Sequence, residues 1–129
     1  MSSALYIYQG HVNMGSWGSS SPIYRASFAP YDSDKEYGET FDPLRQFPRM
    51  IEALQQDIQE HEEHLRVVER VLNGTLSYED RYDAADSYEA ICQDIQKIKD
   101  QIVIVRFLLS IAEDNSYASA QAEWTWMKG

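Results

Sequence analysis

One cysteine, Cys92, stands in a chain of 129 residues. A lone thiol closes no internal disulfide and builds no thiolate zinc site, which excludes a stapled secreted scaffold and a zinc finger. Positive charge is scarce too: 11 Lys and Arg against 21 Asp and Glu leave a formal charge of −10 and a pI near 4.6. Such a balance repels duplex DNA, RNA and anionic membrane at long range, so no direct nucleic-acid contact is expected. Long apolar runs are missing as well. Nothing approaches the roughly 18 uninterrupted apolar residues of a membrane helix. The opening MSSALYIYQG has neither a basic leader nor a long apolar stretch, and a cytoplasmic location is the expectation.

What the chain does contain is enough apolar material, 43% of its residues, to build one core at this length. Residues 1–129 therefore read as a single domain, divided into a β-hairpin with loops (1–41), a helical hairpin (42–114) and a C-terminal strand (115–129). In the first part, Leu5 and Ile7 alternate with Tyr6 and Tyr8, which predicts a strand from about residue 4 to 13. Gly15 to Pro22 is turn chemistry apart from Trp17, and a second strand is expected from Ile23 to Ala29, ended by Pro30. Tyr31 to Thr40 reads as a loop.

From Phe41 onward the apolar period becomes helical. Asp42-Pro43 supplies a cap and a first-turn proline, and the helix is expected to start afresh at Pro48 after a short kinked turn. Ile51, Leu54, Ile58, His61, Leu65, Val68 and Leu72 recur at alternating spacings of 3 and 4. Asn73-Gly74 then predicts a left-handed C-cap, and Ser77 or Asp83 a capping box for the next helix. That helix carries a matching seam of Ala84, Tyr88, Ile91, Ile95, Ile98, Ile102, Val105, Leu109 and Ala112. Two such seams joined by a short loop predict an antiparallel helical hairpin.

Residues 102–111 are apolar off the seam as well, so that half needs cover on a second side. Trp124 and Trp126, alternating with Glu123 and Thr125, predict a strand that joins the N-terminal hairpin and supplies part of it. The fold class is α+β: a small antiparallel sheet, made from the N-terminal hairpin plus the C-terminal strand, packed on a long antiparallel helical hairpin. The flank left over predicts a second copy completing a four-helix arrangement, hence a homodimer.

Catalytic templates fit poorly. His61-Glu62-Glu63-His64 places its histidines three apart, whereas the zinc-protease helix needs them four apart with glutamate after the first. The residues three before each histidine are Ile58 and His61, so the di-iron Glu-x-x-His step is absent. His61 falls on the seam, where one hydrogen bond can set register, and no metal and no cofactor are expected. Cys92 has Glu89 and Asp94 nearby, which disfavour a thiolate. Ser16, Ser19, Ser20 and Ser21 lie in no nucleophile elbow, and Gly15-x-x-Gly18 has no following lysine. No catalytic residue is assigned, and a non-enzymatic protein is expected.

Charge and aromatics carry the functional expectation. Glu52, Asp57, Glu60, Glu62 and Glu63 form a stripe with no basic residue among them, and a second stripe includes Asp83 and Asp86. Between residues 42 and 114, 16 acidic residues face 8 basic ones, a surplus of −8. Pairing the seams sets the first stripe beside Lys97 and Lys99 and the second beside Arg66 and Arg70, which answers part of the charge internally. The remainder predicts docking on a basic protein, including one that itself binds nucleic acid, whose phosphates the carboxylates imitate. An inhibitor or immunity-type protein fits that size and acidity, with Trp17 as an interface anchor. The alternative is a binder of a small nucleotide-like ligand, with Trp17, Tyr31 and Tyr37 closing beside Arg25 and His11.

Overall fold

The computed structural model describes residues 4–27, 42–74, 78–114 and 124–128. Strand β1 (Ala4–Gln9) turns into β2 (Val12–Gly18), followed by a short helix α1 (Pro22–Ala26). Helices α2 (Pro43–Leu72) and α3 (Tyr78–Glu113) come next, and β3 (Trp124–Lys128) closes the order. The sheet is antiparallel with β1 in the middle, in the order β2-β1-β3. It packs with α1 on one end of the α2/α3 hairpin, which is the predicted α+β architecture.

The strand expected from 4 to 13 forms over Ala4–Gln9 and then turns back, so that residues 12 and 13 belong to the next strand. Gln9 pairs with Val12, so Gly10 and His11 form a two-residue turn, and Gly10 holds φ at +61°. Glycine at the first central position is what a tight hairpin turn of mirrored type asks for, because a side chain there meets its own carbonyl. Register slips by one between Ile7 and Tyr8, leaving Met14 as the extra residue of a bulge. Asn13 Oδ1 accepts from the Gly15 amide at 2.9 Å and braces it.

The second strand expected from Ile23 to Ala29 is overturned where it is described: residues 22–26 are helical. Pro22 sits in the first turn behind Ser21, a start signal that outweighs the β preference of Ile23 and Tyr24. Ser27 Oγ donates to the Ile23 carbonyl at 2.6 Å and finishes the turn. Residues 28–41, including Pro30, Tyr31 and Tyr37, lie outside the described residues, as do Ser77 and Glu123.

Helix α2 begins after Asp42 as expected, but it does not restart at Pro48, which lies inside it. The proline forfeits only the amide bond to Leu44, and the burial of Phe47 and Met50 on either side holds the helix through it. The C-terminus also departs from the prediction. Asn73 is right-handed (φ −86°, ψ −4°) and Gly74 has no positive φ. The Gly74 amide donates to Val71 O at 3.2 Å, so the helix tightens into a last 3₁₀-like turn.

Both seams meet as predicted. Near the sheet, Phe47, Met50 and Leu54 of α2 and Ile98, Ile102, Val105 and Leu108 of α3 share a core with Leu5, Ile7, Ile23, Trp124 and Trp126. Phe47 and Trp124 meet edge to face, ring centroids 5.6 Å apart. Nearer the loop, a smaller cluster holds Val68, Ala84, Ile91 and Ile95, and Ile58 packs against both. On α3 the sheet end covers Val105 and Leu108 but leaves Val103 67% and Phe107 63% exposed.

Candidate functional site

The outward face of α2 follows from the seam. Glu52 and Glu63 are eleven residues apart, close to three turns at 3.6 residues per turn, so they share the side opposite Leu54. Glu52, Glu60 and Glu63 are exposed, Glu62 is half-buried on the flank, and Asp83 and Asp86 are exposed near the start of α3. Among the described residues, no lysine or arginine nitrogen closes to within 4.0 Å of any of these six carboxylates. The expected answering of the stripes by Lys97, Lys99, Arg66 and Arg70 therefore forms no ion pair. All four cations are exposed, and an exposed pair gains too little to hold two long side chains together.

Asp57 departs from its stripe. It is half-buried, and its Oδ1 lies 3.1 Å from His61 Nδ1, one helical turn on. The same ring nitrogen reaches the Asp57 carbonyl oxygen at 2.7 Å, which requires the proton on Nδ1. His61 is on the seam as predicted, but its partner is on its own helix, so this bond does not set register against α3. His64 is exposed. No group of three or more His, Cys, Asp or Glu side chains among the described residues is arranged to hold a metal ion.

Beside Asp57 the short helix α1 lies against α2 and leaves a cleft of about 330 Å³. Pro22, Arg25 and Ala26 line one wall, and Ala53, Gln56, Asp57 and Glu60 the other. Arg25 Nη1 donates to the Ser20 carbonyl at 3.4 Å. Reading residues 23–29 as a strand hid this feature, since only a helical turn puts Pro22, Arg25 and Ala26 on one side. The signal that could have found it was Ser21-Pro22, a helix start.

The aromatic set does not converge. Trp17 is not in a loop: it lies on β2, opposite Leu5, half-buried against the core. Its ring covers Gly15 so closely that a Cβ there would fall inside the ring. His11 is exposed in the hairpin turn, about 20 Å of strand away at 3.3 Å per residue. Arg25 belongs to the α1 cleft, and Tyr31 and Tyr37 are outside the described residues. Tyr6 and Tyr8 stack at 6.3 Å on the other face of the sheet.

Cys92 is half-buried on α3. Together with Glu69 of α2 it raises the pKa of the Tyr88 phenol above the ordinary 10.0, because the Cys92 sulfur and the Glu69 carboxylate oppose the negative charge of a phenolate beside them. No helix among the described residues is long and apolar enough to cross a membrane. Comparison of the chain with protein-family models, curated proteins and solved structures finds no match.

Proposed function

We propose that this chain is a non-enzymatic cytoplasmic docking protein, of inhibitor or immunity type, that binds a basic protein partner through the acidic faces of α2 and α3. The observation that supports this most is the set of exposed carboxylates, Glu52, Glu60, Glu63, Asp83 and Asp86, with no ion-pair partner among the described residues. Charges left unanswered within a fold set up a field outside it, which speeds encounter with a surface of opposite sign. The helical hairpin gives that field a rigid backing, about 45 Å of α2 at 1.5 Å per residue.

The test is stopped-flow association with a lysine-rich peptide at two salt concentrations. Wild type should associate faster at low salt, and the triple reversal Glu52→Lys, Glu60→Lys, Glu63→Lys should slow association and flatten its salt dependence. An on-rate unchanged by the reversal removes the proposal.

The same reading includes a second copy. Val103 and Phe107 are one turn apart on α3, and both are mostly exposed, with Ile104 beside them 38% exposed. Placing the matching stripe of another chain against them removes apolar surface from water and completes four helices.

A further inference from the structure

We infer that the cleft between α1 and α2 receives the side chain of a lysine or arginine presented by the basic partner. The inference rests on the docking function proposed above and names where that partner is anchored. Lysine and arginine are amphipathic, with an aliphatic stem that gains from apolar cover and a cationic head that does not. The cleft has both kinds of group. Pro22, Ala26 and Ala53 supply apolar lining, and the acidic residues Asp57 and Glu60 line it from α2. The two alanines matter because a longer side chain at either position would fill the space.

The cleft is not occupied by its own cation. Arg25 lines the opposite wall, yet its guanidinium reaches back to the Ser20 carbonyl, and no ion pair joins it to Asp57 or Glu60 among the described residues. Asp57 lies 3.1 Å from His61 Nδ1 through its Oδ1, which restrains the carboxylate and leaves Oδ2 as the oxygen for a ligand. The α1 wall is held in place as well: Ser21 Oγ and the Ile23 amide both donate to the buried Gln101 Oε1. A receptor whose walls are set before binding spends little entropy on closing. At about 330 Å³ it has the size of a small-molecule site at the lower end of the usual range. A lysine or arginine side chain fits within that volume.

The experiment uses the full ¹⁵N-labelled chain titrated with N-acetyl-lysine-N′-methylamide, beside the norleucine and glutamate analogues with the same caps. The lysine compound should shift the amides of Ala26, Ala53, Asp57 and Glu60 with an affinity of about millimolar, as suits one partly exposed charge and a short stem. The glutamate compound should not, and norleucine should bind at least about tenfold more weakly. Ala53→Leu, which fills the cleft and leaves Glu52, Glu60 and Glu63 in place, should abolish the response. Asp57→Asn, which leaves the cleft open, should weaken it.

Shifts spread evenly over Glu52, Glu63, Asp83 and Asp86, equal binding of norleucine, or a response surviving Ala53→Leu would each overturn the inference. The lysine-rich peptide separates this from the wider reading. If it binds Ala53→Leu as well as wild type while the triple reversal still slows it, the cleft is refuted and the acidic faces stand. If it fails to bind wild type at all, the docking function itself falls, and the anchor with it.

Discussion

The Ser21 hydroxyl donates to Gln101 Oε1 at 2.8 Å, joining two buried side chains that are eighty residues apart. Ser21 is the residue before α1, where a serine ordinarily caps the helix with its own oxygen, yet here it makes no such bond. Gln101 takes over: its Oε1 also accepts the Ile23 amide, an otherwise orphaned donor of the first turn. A side chain of α3 thus caps α1 from outside.

Gln101→Leu should consequently strand a hydroxyl and an amide in the core. The expected loss is about 3 kcal/mol, since each unsatisfied buried group costs on the order of 1–3 kcal/mol. Urea unfolding measures it, and Gln101→Glu, which keeps an acceptor, should lose less. A cost for Gln101→Leu below that of an ordinary surface substitution would deny Gln101 this role.

Gln46 predicts the opposite sign. It is buried, and its Oε1 has no hydrogen-bond partner among the described residues. Gln46→Met keeps the length of the side chain and removes the stranded acceptor, so stability should rise by about 1 kcal/mol. The same urea titration decides it, with a lower midpoint as the contrary result.

Gly15 is required by a neighbour, not by its own backbone. Because the Trp17 ring lies where a Cβ would go, Gly15→Ala should displace the indole from the sheet. Overpacking of this kind costs about 1–3 kcal/mol. Tryptophan emission should shift to the red as the ring gains water; unchanged emission and stability would place the ring elsewhere.

For the second copy, Phe107→Asp places a charge in the exposed α3 stripe. Sedimentation equilibrium of wild type should give a dimer and the variant a monomer, with helical content preserved because Phe107 is 63% exposed and outside both core clusters. A wild-type monomer at every concentration removes this part of the proposal.

Tyr88 supplies a dependence on pH. The folded chain raises its pKa above 10.0, first through Cys92 and then through Glu69, so the native state keeps this proton longer than the unfolded state does. The associated stability is whole below pH 10.0 and is lost as pH rises through the folded value. Tyr88→Phe should flatten the alkaline decline in stability, followed by circular dichroism in urea at a series of pH values. An equally steep decline would assign it to other groups.

Much of this architecture was legible because its signals are local and repeated. Each helical seam spells its period several times over, and a position that misfits, such as His61, is carried by its neighbours. The Trp-Thr-Trp alternation declared β3 for the same reason, its partner Ile7 showing the matching alternation on β1. The hairpin turn was written in Gly10 as well, but the glycine-serine run offered a louder signal that was false from Gly15 to Gly18, which are strand, and true from Ser19 to Ser21, where the chain turns. Trp17 resolves the contradiction: its ring uses the bare Gly15 as a platform, so that glycine serves packing within a strand.

What the order of residues determined by itself was periodicity and charge: two rods with complementary apolar stripes, a short sheet, and a surplus of carboxylates with nowhere inside to go. Only the tertiary structure decided that the five residues 22–26 hold as a helix and that a cleft opens beside Ala53. Those outcomes depend on groups far apart in the chain. Five residues cannot sustain a helix alone, since nucleation costs more than one turn of hydrogen bonds returns. Gln101 supplies the missing cap only after α3 has been brought across the core.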